Sequence, residues 1–169
     1  MIVYKNPWFQ VINEGNYHYV EEPLARGAAA ILPRLGDSFL LLTQHRPAQR
    51  GECTVEIPRG YAEPGESAAQ CATRELAEET GIAIAPDQLE RLGKFRPNTA
   101  ILTARVDIFL ATLPCDTPIS VCEQEASGFT LLPIDELAEV LASGRIEDGF
   151  SLAAFAFYLA RHGTSDGVG

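Results

Sequence analysis

Five glutamates fall within one short stretch, from Gly60 to Ile82: Glu63, Glu66, Glu75, Glu78 and Glu79. If the second half is helical, Glu79 lies roughly 40° round from Glu75 and Glu78 roughly 60° the other way, so all three project from one side within about 6 Å of axis. Two carboxylates about 5 Å apart repel by roughly 3 kcal/mol at an effective dielectric near 20. The C-terminal half of a helix also disfavours anions. Positive charge must compensate, and Arg74 and Arg50 supply part of it, but a single arginine cannot neutralise five carboxylates. A divalent metal can: hard cations such as Mg²⁺ or Mn²⁺ take oxygen ligands and bridge protein carboxylates to substrate phosphates. A solvated acidic helix face is the alternative. The turn-forming residues Pro58-Arg59-Gly60 and Pro64-Gly65, which suit a backbone carbonyl offered to an ion, favour metal chemistry.

The helix that must carry these residues has clear boundaries. Ser67 with Gln70 three residues later is a capping-box signature, and Gly81 sits where a left-handed C-terminal cap is expected, which places the helix near 68–80. Around it, Trp8–Ile12 and Tyr17–Val20 flank the turn-forming residues 13–16 and read as an N-terminal hairpin. Residues 26–32 and 38–44 bracket residues 33–37 as a second hairpin, whose near-continuous apolar strands suggest a sheet covered on both faces. Further strands are expected at 53–57, 89–95, 105–113 and 128–132, helices at 133–142 and about 151–161, and a frayed tail from His162. Strands, a helix, more strands and two helices describe an α/β fold, a mixed β-sheet with helices packed on it.

The chain has 169 residues, long enough for one sizeable core and too short for two ordinary domains. Its 23 acidic and 13 basic residues give a formal charge of −10, which disfavours nucleic acid or an anionic membrane as a partner. With no membrane-length apolar run and no signal-peptide pattern, a cytoplasmic protein is expected. Cys53, Cys71, Cys115 and Cys122 form no Cys-x-x-Cys pair and are expected to be small buried residues.

Gly60, five residues, Glu66, seven residues, then Arg74-Glu75-Leu76-x-Glu78-Glu79-x-Gly81-Ile82 resembles the complete Nudix box of the Nudix hydrolases. The resemblance implies a Nudix-type α/β/α sandwich with a mixed β-sheet, carrying here a small N-terminal antiparallel hairpin, in a single domain over 1–169. It also implies metal-dependent hydrolysis of a diphosphate linked to a nucleoside or similar group. Carried over, Glu75 and Glu79 are the chief metal ligands, Glu78 a further ligand or base, and the Arg59 carbonyl a backbone ligand, with Mg²⁺ or Mn²⁺ as the ion. Gly60 and Gly81 shape the box, and Glu66 and Arg74 brace its loop. Related enzymes keep a base in the region of Glu123 and Glu125, whose alternative is plain loop solvation.

Weaker features resemble the ADP-ribose pyrophosphatase branch. Gln44-His45-Arg46 is similar to that branch's Gln-aromatic-Arg, making Arg46 a phosphate-binding candidate or else a surface ion-pair partner. Glu56 resembles a glutamate that can join the metal site, and Pro97 falls 15 residues beyond the box, a position associated with ADP-ribose. Residues 144–151 resemble the turn into the last helix. The hairpin over 1–25, with Trp8, Phe9, Tyr17 and Tyr19, resembles a sheet that swaps across a homodimer there; ordinary sheet packing is the alternative. Arg59 stands where the branch most often has a small residue, and residues 96–100 lack its Pro-Gly turn. The implied substrate is ADP-ribose or a related nucleoside diphosphate sugar. The alternatives are nucleoside triphosphates, oxidised ones included, and a non-catalytic nucleotide-sensing module, which would be expected to have lost box carboxylates.

Overall fold

The computed structural model describes residues 1–23, 26–122 and 126–163, Arg26 by its backbone only. Its main sheet is built on β4 (Arg26–Leu35), which pairs in parallel with β9 (Arg105–Leu113). β8 (Leu89–Phe95) joins β9 antiparallel, and β5 (Ser38–His45) links antiparallel to both β4 and β10 (Gly128–Pro133). The order is β10-β5-β4-β9-β8.

Alternation along β4 explains the layers. Ala28, Ala30 and Leu32 point into one core with Phe39, Ile108 and Leu110, covered by α2 (Leu137–Ala142) and α3 (Gly149–His162). Ala29, Ile31 and Leu35 point into the other, covered by α1 (Ala68–Thr80) through Cys71, Ala72 and Leu76. A strand with both faces buried must be apolar at every position, hence the near-continuous runs. On the α3 side, Phe39 meets Phe155 and Tyr158 edge-on, with ring centroids 5.3 and 4.8 Å away.

The sheet opens where the site forms. β4 and β5 pair only beside their turn, Arg34 with Phe39 and Leu35 with Ser38, and then splay apart. Two short strands line the opening: β6 (Cys53–Glu56) pairs with β5 and the two-residue β7 (Arg59–Gly60) with β4. The Pro58 carbonyl accepts from the Ile31 amide at 2.9 Å, and the Ile57 amide donates to Ser151 Oγ of α3 at 3.0 Å. The segment that precedes the acidic helix is thus wedged into the sheet.

The expected N-terminal hairpin is present as Gln10–Glu14 (β2) and Tyr17–Glu21 (β3), and Ile2–Lys5 (β1) pairs with β2 to extend it to a three-stranded antiparallel sheet, whereas other expectations are corrected. The turn between β1 and β2 is built by Asn6, whose Oδ1 accepts from the amides of Trp8 and Phe9 at 2.8 and 2.7 Å. This small sheet is tied to the loop after β8 through Val20, whose amide donates to Ile101 and whose carbonyl accepts from Thr103. Residues 33–35 continue β4 instead of forming a loop, leaving Gly36-Asp37 as the turn, with Gly36 at a φ of 55°. The helix expected over 133–142 is a 3₁₀ turn, Ile134–Glu136, followed by the short α2. Of the cysteines, Cys71 is buried, whereas Cys53 and Cys115 are exposed. Among the described residues no helix is long and apolar enough to cross a membrane.

Candidate active site

Local signals fix α1 in place. Ser67 Oγ accepts from the Gln70 amide, and the Gln70 side chain accepts from the Ser67 amide at 2.9 Å. Gly81 closes the other end at a φ of 73°, its amide donating to the Ala77 carbonyl. Leu76, fully buried, seats the helix. That orientation turns Glu75, Glu78 and Glu79 toward the loop and the open sheet, to very different depths: Glu75 is half-buried, Glu78 exposed and Glu79 buried.

Arg74 organises the near side. Its guanidinium pairs with Glu66 at 3.1 Å, Glu75 at 2.7 Å and Glu78 at 2.8 Å, and donates to the Tyr61 carbonyl at 2.8 Å. Glu66 also accepts from the Glu63 amide at 2.8 Å, so the loop closes on its own carboxylate. The bond from Arg74 holds the Glu66 pKa below the ordinary carboxylate value, and three anionic neighbours raise that of Arg74. Glu79 reaches the other way, its Oε1 lying 3.4 Å from Gln44 Nε2 on β5. Glu63 is exposed, and its amide rather than its carboxylate is what the loop uses.

Gly60 is required by proximity rather than by backbone strain. A Cβ added there would lie 1.9 Å from Glu75 Oε1, so the Glu75 carboxylate rests against bare backbone. Cys71 lies beside it, its Sγ 3.5 Å from the Gly60 carbonyl, and burial together with the Glu75 charge pushes that thiol's pKa up to about 12. It is a packing residue.

On the sheet side of Gly60 the charge ratio is inverted. Glu56, almost fully buried, takes Arg46 at 2.7 Å and Arg59 at 2.8 Å, and accepts from the Thr54 hydroxyl. Burial alone would raise its pKa, but the Arg46 and Thr54 hydrogen bonds and the two guanidinium charges outweigh it, and the net shift is downward. Arg59 goes on to Asp148 at 2.6 Å and stacks over Phe150, 4.0 Å from the ring centroid. Asp148 in turn caps α3 through the Ser151 amide at 2.8 Å. Glu56 therefore spends its carboxylate on two arginines.

Arg46, Arg59, Gly60 and Pro97 line one cavity of about 470 Å³, together with Glu22, Tyr61 and Phe150. Its floor is apolar, from Ala28, Leu102 and Val106. The Tyr61 hydroxyl donates to Glu22 at 2.6 Å, and burial plus that carboxylate push its pKa up to about 12. Arg46, Arg59 and Pro97, singled out from the sequence, thus come together, with Glu75 just behind Gly60. Glu56 lies beneath the arginines and lines a neighbouring cavity with them. Glu123 and Glu125 lie outside the described residues; the Cys122 amide immediately before them donates to the Glu79 carbonyl at 3.4 Å. Sequence reasoning missed the Arg59 side chain, Asp148, Phe150, Tyr61 and Glu22. The local hint that Tyr61 and Phe150 carry is that each directly follows a glycine, Gly60 and Gly149.

The donor set suits a hard divalent cation. All the candidate ligands are oxygens, a cradle at Gly60 leaves room for the Glu75 carboxylate, and one arginine faces Glu66, Glu75 and Glu78. Among the described residues no three acidic, histidine or cysteine side chains form a ready-made ion cage. Arg74 takes one oxygen each of Glu75 and Glu78, while Glu79 reaches Gln44.

A family model described as "NUDIX domain" matches residues 23–152. The "NAD-capped RNA hydrolase ndx-9" of Caenorhabditis elegans is 37% identical over 89 residues, which are 50% of this chain and 22% of that protein. The "ADP-ribose pyrophosphatase" of Saccharomyces cerevisiae is 37% identical over 79 residues, 44% of this chain and 34% of that protein. The chain therefore spans about a fifth to a third of the length of these curated relatives. Among solved structures, "Crystal structure of ADP compounds hydrolase" superposes with a TM-score of 0.71 at 19% identity, over 96% of this chain and 92% of that one. At that identity the likeness concerns the fold.

Proposed function

The chain belongs to the Nudix family, and from that premise we propose that it hydrolyses the diphosphate of ADP-ribose, or of a related nucleoside diphosphate sugar, to a nucleoside monophosphate and a sugar phosphate. The observation that carries this reading is the meeting of opposite charges at Gly60: a cavity rimmed by Arg46 and Arg59 on one side, the α1 carboxylates on the other. A diphosphate needs both, cationic side chains for its outer oxygens and metal for the reacting phosphorus. The relatives' names point to ADP-ribose and to NAD-capped RNA, which share a diphosphate attached to adenosine.

Mg²⁺ or Mn²⁺ would be held by Glu75, Glu78, Glu79 and the Arg59 carbonyl, supplying Lewis acidity toward phosphate oxygens and water. Arg46, the more exposed of the two arginines, binds phosphate, and Pro97 and Phe150 confine the sugar or base. Glu66 and Arg74 keep the loop closed so that the Arg59–Gly60 peptide stays fixed against α1. The proton of the attacking water passes to a glutamate, Glu78, Glu123 or Glu125. The N-terminal sheet exposes Met1, Ile2, Tyr4, Trp8 and Tyr17, an apolar surface suited to a second copy of the chain in a homodimer.

The test is a panel of ADP-ribose, other ADP-sugars, NAD, NAD-capped RNA and nucleoside triphosphates, incubated with Mg²⁺ or Mn²⁺, with products identified. ADP-ribose or an ADP-sugar is expected to give AMP and a sugar phosphate. Triphosphate turnover exceeding ADP-ribose turnover by roughly tenfold or more would sink this substrate assignment and favour triphosphate hydrolysis.

A further inference from the structure

The substrate reading above leaves the acidic part of the cavity without a task. Arg46 and Arg59 stand on the rim shared with the pocket around Glu56. Glu22 stands where the larger cavity meets a second one of about 270 Å³, which Glu21, Asp107, Lys94 and Arg105 also line, and there Asp107 is already paired with Lys94 at 3.0 Å. Inside the larger cavity the Glu22 carboxylate disfavours a diphosphate beside it, whereas Arg46 and Arg59 favour one. What reaches Glu22 must be a neutral part of the ligand that donates hydrogen bonds.

The Glu22 carboxylate is held for such a role. Tyr61 donates to its Oε1 at 2.6 Å. Tyr61 is itself fixed from behind, because its carbonyl accepts from Arg74 at 2.8 Å and its neighbour Gly60 is paired to β4. A carboxylate oriented in this way accepts the two hydroxyls of a vicinal diol and repels a phosphate in their place, the logic by which acidic residues read an unphosphorylated ribose elsewhere.

We propose that Glu22, oriented by Tyr61, is a specificity-determining residue that accepts the vicinal hydroxyls of a substrate ribose and excludes a ribose carrying a phosphate. The inference rests on the proposed diphosphate hydrolysis and adds how a ribose of that substrate is selected.

The experiment compares ADP-ribose with two derivatives, one bearing an added phosphate on the adenosine ribose and one on the terminal ribose. kcat and KM are measured separately, with Mg²⁺, in the unaltered protein, Glu22→Gln and Tyr61→Phe, each checked for folding by circular dichroism. One derivative is expected to show a kcat/KM at least roughly tenfold below ADP-ribose, expressed in KM. Glu22→Gln should close most of that gap. Tyr61→Phe should raise KM for ADP-ribose several-fold and keep the gap, since the charge remains. A gap that Glu22→Gln leaves unchanged, or no gap in the unaltered protein, overturns this inference alone. Absence of hydrolysis of ADP-ribose and of every other ADP-sugar in the unaltered protein overturns the proposed function, and this inference with it.

Discussion

The two sides of Gly60 solve opposite charge problems. On the α1 side one arginine, Arg74, serves Glu66, Glu75 and Glu78, with Glu79 close by on the same helix. On the sheet side one carboxylate, Glu56, holds Arg46 and Arg59, and Asp148 balances the second arginine. The sheet side is neutral as a set, two cations against two anions, and nearly closed to solvent at Glu56. The helix side keeps an excess of anions, one cation against four. A buried set that balances itself is a structural element, whereas an unbalanced one needs a ligand from outside. On the proposed reading the balanced set holds the segment before α1 in the sheet, with Arg46, its most exposed member, left to meet phosphate, and the unbalanced set is the one that takes a metal.

The contrast can be broken most directly at Glu79. Glu79→Gln preserves shape at a buried position while removing one charge, so turnover of the panel's best substrate is expected to fall by roughly two to three orders of magnitude, the scale set by loss of one charge-stabilising group. The thermal midpoint should move by only a few degrees. Near-normal rates would show that the anionic excess serves no metal. The reciprocal change, Glu56→Gln, should act mainly on stability. It leaves two guanidinium groups facing a neutral amide, and urea unfolding is expected to show a loss of about 3–5 kcal/mol. A loss below about 1 kcal/mol would mean that the arginines are held by something other than Glu56.

The helix side was legible in the sequence because its signals are local. Ser67, Gln70 and Gly81 set the ends of α1 within a few residues of one another, and the spacing of Glu75, Glu78 and Glu79 fixes their common direction once the helix exists. The sheet side was not, because its contacts join distant positions. Arg59 meets Asp148 across 89 residues, and Tyr61 meets Glu22 across 39. No periodicity records such a pairing. The sequence marks Arg59 for its carbonyl and as a departure from the branch's small residue, with no sign of its side-chain partners, and leaves Arg46 open between phosphate contact and ion pair; in the structure Arg46 lines the cavity and pairs with Glu56. β1 and β7 were missed because four and two residues give alternation too little length to register. The exposed Cys53 and Cys115 show that a residue type's average burial says little about one position on a strand edge or a turn.

The smallest expected effect sharpens the comparison through pH. Glu56 and Glu66 both have pKa values lowered in the folded chain, so each contributes stability that is present above the unfolded value of about 4.3 and lost as pH falls through the folded one. Arg74→Ala removes the partner responsible at Glu66 and leaves Glu56 untouched. Without that cation the α1 carboxylates repel one another unrelieved, and protonating them becomes favourable. Stability of Arg74→Ala should therefore fall less steeply between about pH 5 and 3 than that of the unaltered protein, while at pH 7 the variant is weaker by about 1 kcal/mol, the scale of partly exposed ion pairs. Denaturant midpoints across that range provide the measurement. An unchanged slope would place the acid sensitivity at Glu56 alone, and the two sides of Gly60 would then differ in chemistry but not in their dependence on protons.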